Sequence, residues 1–521
     1  MKKNIIQKLL LALVLVVAWT TSDAQIRIDW QQCYGTNKAD VAFDVAEIPD
    51  GFLILGQVET DGGGMYGCSQ FEYHEDWMLN IDKGLDIADQ RCERYGIHAE
   101  LHESNNGSLY ITELCNDSFL IQLRITRVDE TGETQWVRHT GSLDGLHPLH
   151  NYNMVSFGVP TPDGGIVAAA ICHDNSGDIS HFYGGNADCW LVKYNADGTM
   201  AWETTLGTSG DDLVTCLAGA ADGGILVGMD TPLSGGGNIN CSPSGTEEGH
   251  VLVKLDASGE ILWCRSFPDI EIKQALETED GFLLAGEHAS DCCLLRCDEE
   301  GNILWKKEYG GTCLDEVVRV FPNENGGFTV FANTKSTDGD IASAALLGVT
   351  GTEEGNVWVF HTDAEGTLLW ERCIGSQLGL CEAVSNVIRN AENEYTLVGT
   401  MSWFDGVSSG DVSCSNNTLL PNSGDNIWLV HLILDLNFTD TEEAAASQTH
   451  ILPNPTTGIL SLSGDNLCQA EVFNSFGQRV DVWNGESSRV TLDLSKQPSG
   501  LYYIKTTDTN GRRSVQKVVK Q

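Results

Sequence analysis

The chain has 521 residues, 41% of them hydrophobic, with 56 glycines and 12 prolines. That is ample for a large core, and the glycine excess fits many short strands joined by tight turns rather than a disordered chain. Thirty basic against 74 acidic residues give a formal charge of −44, which repels nucleic acid and anionic membranes and favours a solvated exported surface or cation binding.

Lys2, Lys3 and Lys8 precede an apolar run from Leu9 to Trp19, and Ser22 and Ala24 are the small residues before a cut ahead of Gln25. Residues 1–24 therefore read as a signal peptide. The run is too short to span a bilayer, and no later segment is long and apolar enough. In an exported chain, 17 cysteines suggest disulfides. The count is odd, and Cys468, alone after residue 450, is the natural one left over.

From residue 25 to 435 the text repeats. Gly-x-x-x-Trp recurs five times, from Gly132–Trp136 to Gly366–Trp370. Each unit holds four strand-like runs. A turn between the first two is found seven times, at Asp50-Gly51, Asn106-Gly107, Asp163-Gly164, Asp222-Gly223, Asp280-Gly281, Asn325-Gly326 and, degenerate, Glu392-Asn393. The Trp strand is also found seven times, with Arg91 standing for Trp in one. Four third strands carry a Trp of their own: Trp77, Trp190, Trp358 and Trp428. Seven four-stranded units predict an all-β seven-bladed propeller, with an open solenoid as the alternative. The last unit lacks a Trp strand, and the chain starts with an unpartnered one, Ile26 to Tyr34. Their pairing would close the ring.

The repeated tryptophans fit packing between blades, each N–H finding an acceptor. The connections after the second strand are short in units two and five and long elsewhere, so this variable face is the expected binding surface. Trp403 and Phe404 stand outside the repeat register in one long loop and are candidate ligand contacts. Three loops share a Gly-Asp phrase: Gly177-Asp178-Ile179, Asp338-Gly339-Asp340-Ile341 and Gly410-Asp411-Val412. Asp178, Asp338, Asp340 and Asp411 offer oxygens for Ca²⁺, or cap their own turns. Cys172 and Cys189 flank one loop and form the best single disulfide guess. Gly406-Val407-Ser408-Ser409-Gly410 matches a nucleophile elbow without the strand–turn–helix setting it needs. On a strand, His98, Glu100 and His102 share one face, where a metal is conceivable. No catalytic residues are assigned.

Residues 436–450 read as a polar linker. Residues 451–521 hold 8 basic and 6 acidic residues, against 19 and 67 in 25–450. Short alternating runs here suggest a small Ig-like β-sandwich. The segment opens with Leu452-Pro453-Asn454-Pro455-Thr456-Thr457-Gly458 and continues through Asn474-Ser475-Phe476-Gly477. It ends with Pro498-Ser499-Gly500-Leu501-Tyr502-Tyr503 and Gln516-Lys517-Val518-Val519-Lys520. Together these resemble the type A C-terminal sorting domain of the type IX secretion system of Bacteroidetes. The resemblance implies passage through the periplasm, handling by the type IX machinery, and delivery outside the cell. The body resembles the Asp-Gly-Gly, Asp-x-Trp repeat proteins that precede such tails, a likeness that brings no activity with it. The expectation is a non-catalytic surface protein that binds a glycan or a protein. The alternatives are an extracellular polysaccharide hydrolase or lyase, and a structural envelope component.

Overall fold

The computed structural model describes residues 25–35, 40–58, 75–93, 97–104, 107–117, 120–129, 133–143, 157–232, 236–241, 248–324, 326–343, 355–375, 382–402, 411, 425–435, 450–452, 456, 458–474, 479–498, 500–508 and 513–520. The expected signal peptide and most of the linker lie outside them. The chain divides into two units, Ala24–Leu436 and a second that holds Asn437–Gln521.

All described regular structure is β, with no helix. In the first unit the described residues form seven four-stranded antiparallel sheets. Six take four strands in chain order, led by Asp40–Ile48, Ile97–Glu103, Phe157–Pro160, Leu213–Gly219, Glu271–Thr278 and Asp315–Pro322. The seventh is led by Glu382–Ala391, and its outer strand is Gln25–Tyr34, paired with Asp425–Asp435 from Gln25↔Asp435 to Tyr34↔Ile427. The pairing expected of the two ends is therefore made.

Burial follows strand order. The third strands Asp188–Tyr194 and Asn356–Thr362 are buried at every residue, whereas the outer strand Ile303–Tyr309 is exposed at Ile303 and Leu304. A strand buried on both faces must be covered by other sheets, and the core is divided accordingly. Seven apolar clusters each join two consecutive sheets. One of them joins the seventh sheet to the first, packing Val398, Ile427 and Leu429 with Val45, Ile54 and Trp77. The lead strands likewise neighbour one another in a closed cycle.

Two repeated hydrogen bonds place the tryptophans. Trp136, Trp202 and Trp305 donate through Nε1 to the carbonyls of Ala196, Ala257 and Ala364, 3.0–3.1 Å away, each in a turn of the following sheet. The buried third-strand tryptophans donate to a Glu or Gln on the neighbouring outer strand: Trp77 to Gln90, Trp190 to Glu203, Trp358 to Glu371 and Trp428 to Gln31. Trp370 breaks the first pattern. Its next sheet is the seventh, where the third and outer strands come from opposite chain ends and no hairpin turn lies between them. Among the described residues its N–H has no acceptor, and the ring stacks on His361.

The second unit is a five-stranded sheet in which Ile459–Asn474 is central, pairing with His450–Leu452, Arg479–Asp493 and Gly500–Asp508. Arg513–Lys520 pairs with Gly500–Asp508. The expected short runs merge here into strands of 16 and 15 residues. Register shifts between Ser463 and Leu467 let the long strand bend. Its core packs Leu460, Leu462, Val472, Val490, Ile504 and Val518.

Candidate functional site

The seven lead strands surround a cavity of about 230 Å³. Six of them carry a register shift in their first half, between Ala42/Asp44, Ile97/Glu100, Val214/Cys216, Ile272/Gln274, Val317/Arg319 and Val384/Asn386. A bulge re-aims side chains and increases local twist. Repeated around the cycle, it brings residues distant in sequence onto one wall. The polar lining includes Asp44, Glu100, His102, Lys273, Arg319 and Asn386.

Asp44 is held on all sides. Its Oδ2 accepts from Leu101 N at 2.6 Å, and its Oδ1 accepts from Val45 N at 2.7 Å and from Asn386 Nδ2. Burial raises its pKa, opposed by those hydrogen bonds and by the Arg319 charge. Arg319 donates through Nε and Nη2 to one acceptor, Asn386 Oδ1, at 3.0 and 2.6 Å. No carboxylate among the described residues forms an ion pair with it. Lys273, by contrast, is paired with Glu271.

Glu100 and His102 sit two residues apart on one strand and face the same cavity, as alternation predicts. His102 Nε2 lies 2.9 Å from Thr112 Oγ1 and 3.7 Å from Glu100 Oε2. Burial, then the Arg319 charge, lowers the His102 pKa to about 3, so the ring stays neutral. Burial, then the neighbouring Asp44, raises the Glu100 carboxyl to about 8, with Arg319 opposing. About a third of the Glu100 side chain, 32%, is nevertheless accessible. The penalty is that of a narrow cavity walled by protein, rather than of a dry core. The next lead strand makes room for His102 with Gly158, where a Cβ would lie 2.4 Å from Nε2.

Sequence reasoning singled out Glu100 and His102 but missed Asp44, Arg319 and Asn386. Nothing in the local sequence marks them, because Asp44 and Asn386 are separated by 342 positions.

The Gly-Asp phrases have a different structural part. Asp178 N donates to Gly141 O at 3.0 Å, while Gly141 N donates back to Asp178 Oδ2 at 3.2 Å. Asp340 makes the same exchange with Gly310, and Asn238 with Gly207. Asp411 N donates to Gly375 O. In each case the loop of one sheet clasps the end of the outer strand of the preceding sheet. The glycine before the clasp residue needs left-handed backbone, with φ of 66° at Gly177, 70° at Gly237 and 68° at Gly339, and a Cβ there would strike the clasped carbonyl. The residue after it, Ile179, Ile239 or Ile341, is buried. Asp338 Oδ1 accepts from Thr312 N at 2.9 Å. The four aspartates thus lie in three separate loops. Among the described residues no three acidic, His or Cys side chains are grouped to hold a metal.

The expected Cys172–Cys189 bridge is not formed, and both thiols are buried and free. Cys172 pairs across the ladder with Asp188, so Cys189 points to the opposite face, and the two belong to different core clusters. Cys241 is instead bonded to Cys264. Cys468 is half-buried. Trp403, Phe404, the Gly406–Gly410 phrase, Pro453, Asn454, Pro455 and Gly477 lie outside the described residues. Within the tail, Gly458 O accepts from Leu494 N at 2.7 Å, Tyr502 donates its hydroxyl to Pro498 O at 2.8 Å, and Lys520 Nζ donates to Gln497 O at 2.6 Å. All three bonds converge on the turn at 494–498. Gly500, Leu501 and Lys517 lie in the last two strands.

Residues 450–521 match the family described as the secretion system C-terminal sorting domain. The tail is a type IX sorting domain. A sorting domain of this kind marks the protein for the type IX machinery and for the cell surface or extracellular space. No described helix is long and apolar enough to cross a membrane. No curated protein matches the chain. Among solved structures it is similar to a Lactobacillus plantarum protein (11% identity, 75% of this chain and 99% of that one, TM-score 0.38). It is also similar to Sqt1 from Chaetomium thermophilum (12%, 79% and 99%, TM-score 0.39) and to the polysaccharide lyase Uly1 (10%, 57% and 74%, TM-score 0.33).

Proposed function

We propose that the protein is a surface-delivered, non-catalytic binding or adhesion protein. Residues 25–435 are a seven-bladed β-propeller closed by the N-terminal strand. Residues 436–450 are the linker, and the sorting domain at 451–521 is an Ig-like sandwich. Recognition of a glycan or a protein occurs on the face carrying the long connections after the second strands. The observation that carries this reading is the contrast between connections. Lead and second strands are joined tightly in every sheet, as from Ile48 to Gly51. Second and third strands are joined tightly in only two, from Asp117 to Leu120 and His288 to Asp291, and by long segments such as Thr334 to Asn356 elsewhere. A rigid scaffold with its variation concentrated in the connections after the second strands is the arrangement of a recognition surface.

The test is a glycan array and a surface-protein capture with the mature secreted protein, in calcium and again in chelator. Retention of one sugar class or one partner is the expected result; silence in every arm refutes the reading. One observation favours an extracellular polysaccharide hydrolase or lyase as the second reading, namely a carboxyl held near pKa 8 beside a neutral His in a cavity. The cavity's volume of about 230 Å³ argues against it, being below the range that holds a drug-sized ligand and far below that of a sugar chain. Release of oligosaccharides by the wild-type protein but not by Glu100→Gln would establish it.

A further inference from the structure

Two ionisable groups that line this small space, Glu100 and Arg319, form no ion pair with a charged partner among the described residues. The other charges there are engaged: Asp44 by two backbone N–H groups and Asn386, Lys273 by Glu271. Arg319 is oriented by two bonds to a neutral amide oxygen, which uses one face of the guanidinium fork and leaves its remaining N–H groups without a carboxylate. Glu100 accepts no hydrogen bond among the described residues, and its nearest base, His102, is kept neutral. Nor are Glu100 and Arg319 paired with each other. Their side chains come from different lead strands whose positions are fixed by the ring.

We propose that this cavity binds a small zwitterion of the amino-acid class, with its carboxylate on Arg319 and its ammonium group on Glu100. Arg319 is a confined charge without an ion-pair partner and Glu100 stays protonated for want of one, so a ligand carrying both opposite charges gives each its counterpart. A simple organic acid would make no use of Glu100, and a simple amine would leave the Arg319 charge unmatched. The volume, about 230 Å³, suits one such molecule and excludes a polymer. Arg319 holds a planar carboxylate through its fork, and Asn386 fixes the guanidinium before the ligand arrives. Its lining residues all lie on the lead strands and none in the long connections, so it stands or falls independently of what those connections recognise.

Proton linkage gives the distinguishing signature. The charged and titratable groups lining the cavity with Glu100 are Asp44 from the first lead strand, the Cys216 thiol from the fourth, Lys273 from the fifth, Arg319 from the sixth and His102 on its own strand. The Phe157–Pro160 strand contributes none. With the Glu100 carboxyl protonated up to about pH 8 in the free protein, seating an ammonium group expels that proton. Affinity then rises with pH between 6 and 8, by up to about tenfold per pH unit. An anion held by Arg319 alone would bind no better as pH rises.

The experiment is titration calorimetry of the mature secreted protein with pooled and then single L-amino acids. A hexuronate serves as the amine-free probe and amino-acid methyl esters as the carboxylate-free probe. The expected result is saturable binding of an amino acid only, with proton release below pH 8 and affinity rising from pH 6 to 8. Arg319→Gln and Glu100→Gln should each weaken it at least tenfold. The wild-type pH profile tests the idea even if a variant fails to fold. No saturable binding by any amino acid, equal binding of the hexuronate or an ester, or affinity flat or falling with pH would overturn the proposal.

Discussion

At the scale of single residues, the cavity pair Glu100 and His102 makes stability depend on pH in opposite directions. Burial, then the neighbouring Asp44, raises the Glu100 carboxyl in the folded protein to about 8, above its ordinary value of 4.5. The folded state therefore keeps a proton that the unfolded chain has lost between those values, and this contribution to stability declines as pH rises through that window. His102, near 3 when folded against 6.5, works the other way, its contribution being lost as pH falls below 6.5. Glu100→Gln is expected to flatten the decline in melting temperature between pH 6.5 and 8; an unchanged slope in thermal scans would show that Glu100 is not the titrating group. A second residue-scale prediction concerns Glu371, which accepts from Trp358 Nε1 at 3.1 Å, Ser343 N at 2.9 Å and Ser343 Oγ at 2.6 Å. Glu371→Ala leaves a buried indole N–H unpaired and should cost roughly 1–3 kcal/mol in denaturant unfolding. The repeated tryptophans were legible because one bulky residue recurs at a fixed place. Beyond Glu100 and His102 the polar lining was not, since Asp44, Arg319 and Asn386 come from strands far apart in the chain, and only the closed cycle of lead strands brings them together.

At the scale of elements, the clasp between sheets makes an ordering of variants predictable. Gly339→Ala must place a Cβ about 2.2 Å from Gly310 O in left-handed backbone. Asp340→Ala removes only the return bond of 3.2 Å. Gly339→Ala should therefore lower the melting temperature more than Asp340→Ala, the strain costing about 1–3 kcal/mol against about 0.5–1.5 kcal/mol for the bond. If Asp340→Ala proves the worse, its carboxylate has another role, and calcium dependence of the melting curve becomes the next thing to measure. The strands themselves were readable from alternation and from Asp-Gly and Asn-Gly turns. The clasp was not, because a sequence shows the repeated Gly-Asp phrase without the carbonyl it grips in the preceding sheet. In the tail, strand lengths were underestimated for a related reason. Polar stretches such as Ser463–Leu467 look like turns, yet the ladder continues beyond them through a bend.

At the scale of the whole molecule, the two ends have separable tasks. Removing residues 451–521 should abolish delivery to the surface and leave the body, with its own seven inter-sheet cores, melting as before; persistent surface delivery would contradict the sorting assignment. Removing residues 25–35 should instead destabilise the entire body, because it strips the outer strand from the seventh sheet and exposes an unpaired edge. An unchanged melting temperature would refute closure by that strand.

The ladder between Gln25 and Asp435 also governs time. A nascent chain presents its first strand at once, but the partner emerges only some four hundred residues later. The most distant contact in the body is thus the last that can form, and long-range pairing of this kind is intrinsically slow. Until then the seventh sheet has an open margin, and that margin is where a helper protein, a protease or a second unfinished copy would intervene.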